Sequence, residues 1–211
     1  TISDLTITGQ YSPAGLFGIV EEQGSIESLS VRGIVSVSDS ADTTTGGIVG
    51  INHGTLINCQ FTGVVTGDSE VGGIVGRNES EGTIDHSTAR AIVTGKSSTG
   101  GIAGYNLGAI TGCTNVGSIN TEYQEASLDT DGFTAKMVDQ INNKMAAADD
   151  DATNSVTNVA TDTGGIAGRS SGMILTSVNT GTIGYEHVGY NVGGIVGRTD
   201  GLVSGCVNQG C

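Results

Sequence analysis

Apolar residues in this chain come in short runs separated by Gly, Thr, Ser and Asn, and one short arrangement keeps returning. Gly46-Gly47-Ile48-Val49-Gly50 reappears as Gly72-Gly73-Ile74-Val75-Gly76, Gly100-Gly101-Ile102-Ala103-Gly104, Gly164-Gly165-Ile166-Ala167-Gly168 and Gly193-Gly194-Ile195-Val196-Gly197. Ala14-Gly15-Leu16-Phe17-Gly18 is a looser sixth copy. The second residue of each copy falls at 15, 47, 73, 101, 165 and 194, giving steps of 32, 26, 28, 64 and 29. A period in the twenties marks a stack of structural repeats. After each motif come a polar turn, an alternating segment such as Thr55-Leu56-Ile57-Asn58-Cys59-Gln60-Phe61, and a short Val-Val-Thr or Ile-Val-Thr strand. Ile2, Leu5 and Ile7 show the two-residue alternation of a half-buried strand and supply the first coil.

Three short strands in ~27 residues fit one coil of a parallel β-helix, whereas a propeller blade needs four strands in about 40 residues or more. The pattern predicts an all-β, single-domain β-solenoid of six to seven coils over residues 1–211. Ile48, Ile74, Ile102, Ile166 and Ile195 should stack in one interior column, each contributing ~1.5 to 3 kcal/mol by burial. The glycine pairs are expected to bend through positive φ where a Cβ would clash. Asn52, Asn78, Asn106, Ser170 and Thr199 form a turn column whose amides can bond along a ladder.

The repeat disappears between 121 and 162, which accounts for the longest step. Phe133, Met137, Val138, Ile141 and Met145 fall on one helical face there. A helix is expected near 132–147, started by Asp131 or Thr130 and packed as an outgrowth from one solenoid corner, or else serving as a docking element. The polar connection Ser36 to Thr45 explains the step of 32. The chain reaches Cys211 partway through a coil, so more chain is expected to cover the open strand edge.

Composition agrees with many short strands joined by tight turns: 36 Gly, 1 Pro, no Trp and 4% aromatics. The glycines keep no three-residue period, which excludes collagen. A net charge of −14, from 22 acidic and 8 basic residues, repels phosphate backbones and anionic lipid. Nucleic acid and membrane insertion are therefore not expected, and no apolar run approaches the ~20 residues of a membrane helix. Counting five residues from the glycine that opens the second part of each repeat gives the column Leu29, Cys59, Ser87, Cys113, Ser177, Cys206. Coils ~4.8 Å apart would place Cys59 and Cys113 roughly 10 Å apart, beyond the ~7 Å limit for a disulfide. Small buried thiols are expected, with Cys206 to Cys211 the one link left open by geometry.

The run Gly-Gly-Ile-Val-Gly, then Asn, Gly and an apolar strand ending in Cys or Ser, resembles the GLUG motif family of bacterial secreted and surface proteins. Six copies cover everything except the 121–162 insert, while the first copy lacks the Gly pair and has Val20 where Asn is expected. The resemblance implies a right-handed β-helix in an extracellular or cell-surface bacterial setting. Such repeats occur in adhesin-like proteins and in immunoglobulin A1-specific metallopeptidases, so it implies either kind of parent.

Residues with chemistry are sparse. A zinc peptidase needs His-Glu-x-x-His, but His53, His86 and His187 are far apart in sequence, so a peptidase centre would lie outside this segment. Gly168-Arg169-Ser170-Ser171-Gly172 spells a nucleophile elbow, yet the repeat explains both glycines and no strand-turn-helix context follows. Asp129-Thr130-Asp131-Gly132 opens like a calcium loop, but Gln140 stands where the twelfth-position Glu belongs. Asp68, Glu70 and Asp162 precede glycine pairs in the manner of a polysaccharide lyase face, with Lys96 and Asn191 interrupting the column. No metal, cofactor or catalytic residue is expected.

One outward column stands apart. The residue after the last glycine of the motif reads Ile19, Ile51, Arg77, Tyr105, Arg169, Arg198. Such a cation and aromatic stripe can grip an acidic glycan or protein, or cover the corner and pair with Glu79, Glu81 or Asp200. The expected function is a non-catalytic adhesin-like or spacer module, acting as a monomer toward a host glycan or protein. The competing class is a carbohydrate-active β-helix enzyme or glycan-binding domain.

Overall fold

The computed structural model describes residues 1–37, 43–121, 162–184 and 191–210. The expected helix at 132–147, most of the 121–162 insert, the Asp129 to Gly132 segment and Cys211 lie outside the described residues.

One coil shows how the repeat folds. Thr44–Gly46, Val49–Asn52, Thr55–Ile57 and Gln60–Thr66 are four successive strands, each in a different sheet. The strands pair in parallel with their equivalents in neighbouring coils, as in the register Ile51↔Arg77↔Tyr105. The four sheets contain five, six, six and nine strands, and the coils stack for about five turns. The expected three strands per coil become four because Gly-Gly-Ile-Val-Gly is a corner rather than one strand. Gly46 ends one strand, Gly47 and Ile48 bend, and Val49 starts the next.

The glycine pair also works differently from the expectation. None of its glycines has positive φ; a left-handed column, Ser28, Asn58, His86, Gly112, Thr176 and Gly205, stands instead one per coil at the next corner but one. What the pair supplies is room. A Cβ on Gly47 would stand 2.5 Å from Phe61 Cγ, one on Gly165 2.5 Å from Asn179 Cγ, and one on Gly194 2.5 Å from Asn208 Nδ2. The second glycine of each pair is thus a slot for a side chain arriving from the long-strand sheet.

Ile48, Ile74, Ile102 and Ile166 are fully buried and Ile195 is partly buried. Their backbones run on as a ladder, with Ile48 N–H donating to Ile74 C=O (2.9 Å), Ile74 to Ile102 (3.1 Å), Ile102 to Ile166 (2.9 Å) and Ile166 to Ile195 (2.8 Å). A second apolar column runs Ile26, Leu56, Ile84, Ile110, Ile174, Val203. Because each coil is too thin to bury a core alone, these columns are what holds neighbours together.

Polar side chains inside the stack are also arranged in columns. Asn52 Nδ2 donates to Asn78 Oδ1 and Asn78 Nδ2 to Asn106 Oδ1, both at 2.8 Å, and Asn106 Nδ2 to Ser170 Oγ at 3.1 Å. All four residues are fully buried, with backbone φ outside the left-handed region, so the Asn column is an interior ladder rather than a set of turn residues. A second ladder runs Asn115, Asn179, Asn208 at 2.8 and 2.7 Å. Buried amides are tolerated because each is satisfied by the next coil and by a local carbonyl such as Gly54 or Gly181. Cys59 and Cys113 are buried free thiols in a column shared with Ser87 and Ser177. Those serine hydroxyls accept the Cys59 and Cys113 N–H at 3.1 and 3.2 Å. Burial pushes the Cys113 thiol up to about 12.

Candidate functional site

The motif turns the chain so that the residue after its last glycine points outward from a six-stranded sheet while the flanking residues point in. Around Arg77, for example, Gly76 and Asn78 are buried. In-register pairing then lines up Ile19, Ile51, Arg77, Tyr105, Arg169 and Arg198 on consecutive coils. Arg77 and Arg169 place their guanidinium carbons 5.0 and 5.3 Å from the centre of the Tyr105 ring, within cation–π range. Because the two arginines come from the strands on either side, the ring is held between them.

The charges around this column are uneven. Arg77 bonds Glu70 at 2.8 Å and Glu79 at 2.6 Å. Partial burial works against its charge, but Glu70 and Glu79 more than offset that and hold the guanidinium above its ordinary value. Glu70 is fixed from the other side by the Thr44 hydroxyl, which donates to it at 3.1 Å. Of the partners expected for the stripe, Glu79 is in contact, whereas Glu81 is fully exposed and is held below the ordinary carboxylate range by the Ser80 hydroxyl. Asp200 is held low chiefly by the Ser171 hydroxyl, with smaller contributions from Arg169 and Arg198. Ser171 also meets the Tyr105 hydroxyl at 3.3 Å.

The sequence groups Glu70 with Asp68 and Asp162 as acids that precede glycine pairs. In the structure the column is Thr44, Glu70, Ser98, Asp162, Asn191. Asp68 instead pairs with Lys96 at 2.6 Å, and Asp162 accepts from Asn191 Nδ2 at 2.7 Å. The Glu70 to Arg77 contact crosses a corner, and its only sequence signal is a separation of seven residues spanning the motif. Ser170 of the elbow-like segment is buried and occupied by Asn106, so it is a ladder member and not a nucleophile. Among the described residues no three of His, Cys, Asp and Glu come together as metal ligands. Among them, too, no helix is long and apolar enough to cross a membrane.

These features define a four-sided parallel β-solenoid repeat module with one outward cation and aromatic column. Residues 67–94, one complete coil including Arg77, match the family model of the GLUG motif. Halomucin of Haloquadratum walsbyi (strain DSM 16790 / HBSQ001) is 36% identical over 90 residues, which are 42% of this chain. The chain spans about 1% of the length of that relative. No solved structure matches.

Proposed function

We propose that this segment is a non-catalytic, adhesin-like module of a large secreted or cell-surface protein. It acts as a monomeric rigid spacer whose Arg77, Tyr105, Arg169 and Arg198 stripe meets an acidic glycan or protein outside the cell. The observation that carries this reading is the register of the stripe. Four long side chains with cation and aromatic character align on consecutive coils, while the interior columns spend their polar groups on one another. The GLUG match and the likeness to halomucin support a repeat module within a very long chain. A bacterial surface and an immunoglobulin A1 peptidase parent draw support from the repeat resemblance alone. Binding of the chain to glycan arrays and to host extracellular proteins should fall on Arg77→Ala with Arg198→Ala; unchanged binding refutes the stripe as the contact surface.

A further inference from the structure

The four stripe residues do not have equal surroundings. Arg77 is neutralised by two carboxylates. Tyr105 has a guanidinium on either side of its ring, so no sugar face can stack on it. Arg169 and Arg198 stand directly opposite each other in a parallel ladder, where strands are ~4.8 Å apart and like charges repel. Among the described residues neither makes an ion pair within 4.0 Å. The positions that correspond to Glu70 are Asp162 and Asn191, shorter and bonded to each other at 2.7 Å. The positions that correspond to Glu79 are Ser171 and Asp200, and the Ser171 hydroxyl holds the Asp200 carboxylate below its ordinary range. Both guanidiniums thus act on Asp200, which the Ser171 hydroxyl also holds, while Asp162 is engaged by Asn191.

We propose that the Arg169 and Arg198 step is an oxyanion site that takes a carboxylate or sulfate group of an acidic polysaccharide, with Asp200 as the internal counter-ion it displaces. This rests on the acidic-partner reading of the stripe and narrows it. Guanidinium forks bind planar or tetrahedral oxyanions through paired N–H bonds. Stacking on Tyr105 leaves the N–H edge of Arg169 as its recognition surface, and an anion between the forks turns their repulsion into attraction. Arg77 needs no such ligand. With a net charge of −14 the chain repels polyanions at long range, so the local step must carry the recognition.

The test measures binding of the full chain to a polyuronate, a sulfated glycosaminoglycan and neutral dextran. Binding to at least one acidic polymer and not to dextran is expected, and which one binds separates carboxylate from sulfate. Arg169→Gln and Arg198→Gln should each weaken binding about tenfold, the loss of a charge-assisted bond. Arg77→Gln should change it less than about twofold, and Asp200→Asn should tighten it severalfold. Thermal melts of all variants establish that each is folded. Loss on Arg77→Gln with no effect of Arg169→Gln or Arg198→Gln overturns the inference and leaves the broader stripe reading standing. Failure of every acidic polymer to bind overturns the inference, and host-protein binding then decides the stripe. Weaker binding by Asp200→Asn overturns the counter-ion role.

Discussion

Gly47→Ala tests whether the glycine pair exists to make room rather than to bend. The added Cβ would overlap the Gly73 carbonyl oxygen of the next coil and stand 2.5 Å from Phe61 Cγ and 2.7 Å from Phe61 Cδ1. Real Cβ atoms essentially never come within 3.0 Å of such neighbours, so the coils must part locally and the Phe61 ring must leave its slot. Three inter-coil bonds lie at the opening: Gly47 N–H to Gly72 C=O at 3.3 Å, and Ile48 and Val49 N–H to Ile74 C=O at 2.9 and 3.0 Å. At ~1 kcal/mol each, with partial loss of Phe61 and Ile48 burial, the cost is about 4 to 6 kcal/mol. For a domain of this size that corresponds to a fall in Tm of roughly 10 °C or more. Gly18→Ala is the paired control, because its Cβ meets only the Pro13 carbonyl at 3.7 Å. Restricting the unfolded chain there should leave stability unchanged or raise it by up to about 1 kcal/mol. Thermal unfolding followed by circular dichroism compares the two, and a Gly47→Ala melt that coincides with that of Gly18→Ala would refute the slot argument.

Thr99 and Thr45 carry buried hydroxyls without a hydrogen-bond partner, in a column where Val71 and Val192 also occur. Thr99→Val should therefore stabilise the chain by about 1 to 2 kcal/mol. Thr163→Val should destabilise it, because the Thr163 hydroxyl accepts from Asn120 Nδ2 at 3.1 Å; urea midpoints moving the opposite way would disprove the pairing logic. Cys113 gives a pH prediction: its thiol ionises near 9 when unfolded but is held protonated to about 12 by burial. The unfolded state then binds fewer protons between those values, so stability is unaffected below about 9 and falls as pH rises toward about 12, by up to ~1.4 kcal/mol per unit. Cys113→Ser should remove that extra slope in denaturation curves taken below and inside the window, and an identical slope in the variant would count against it.

Much of the architecture is legible in the sequence because every coil labels itself with the same pentapeptide. That label sets register, and register alone aligns Ile48 with Ile74 and Arg77 with Tyr105. What hid was whatever does not repeat in kind. The Asn115, Asn179, Asn208 ladder shares its column with Val31, Phe61 and Ala89 in earlier coils, so the column looks mixed. Its signal was available in Asn115-Val116-Gly117, Asn179-Thr180-Gly181 and Asn208-Gln209-Gly210, where the amide reaches the backbone two residues on. The left-handed corner hid for the same reason, since Ser, Asn, His, Gly and Thr all occupy it. The slot role of the second glycine was invisible because it depends on a side chain about fourteen residues away in sequence, arriving from another sheet.

The arrangement also accounts for where variation can accumulate. An interior residue touches its equivalents above and below, so a change there must suit three coils at once. Outward positions and connections escape that constraint. The connections of most variable length all join the long-strand sheet to the start of the next coil, from Val37 to Thr44, Thr66 to Glu70, Thr94 to Ser98, Ile119 to Asp162 and Ile183 to Asn191. Each ends at the strand that carries the Glu70 column, seven residues before the stripe. Glu70 at that position reaches Arg77 and neutralises it. Asp162 and Asn191 at the equivalent positions bond each other across coils and leave Arg169 and Arg198 to other partners. The residue at this one strand position therefore sets the charge balance on the neighbouring face, which lets coils with one core present different surfaces.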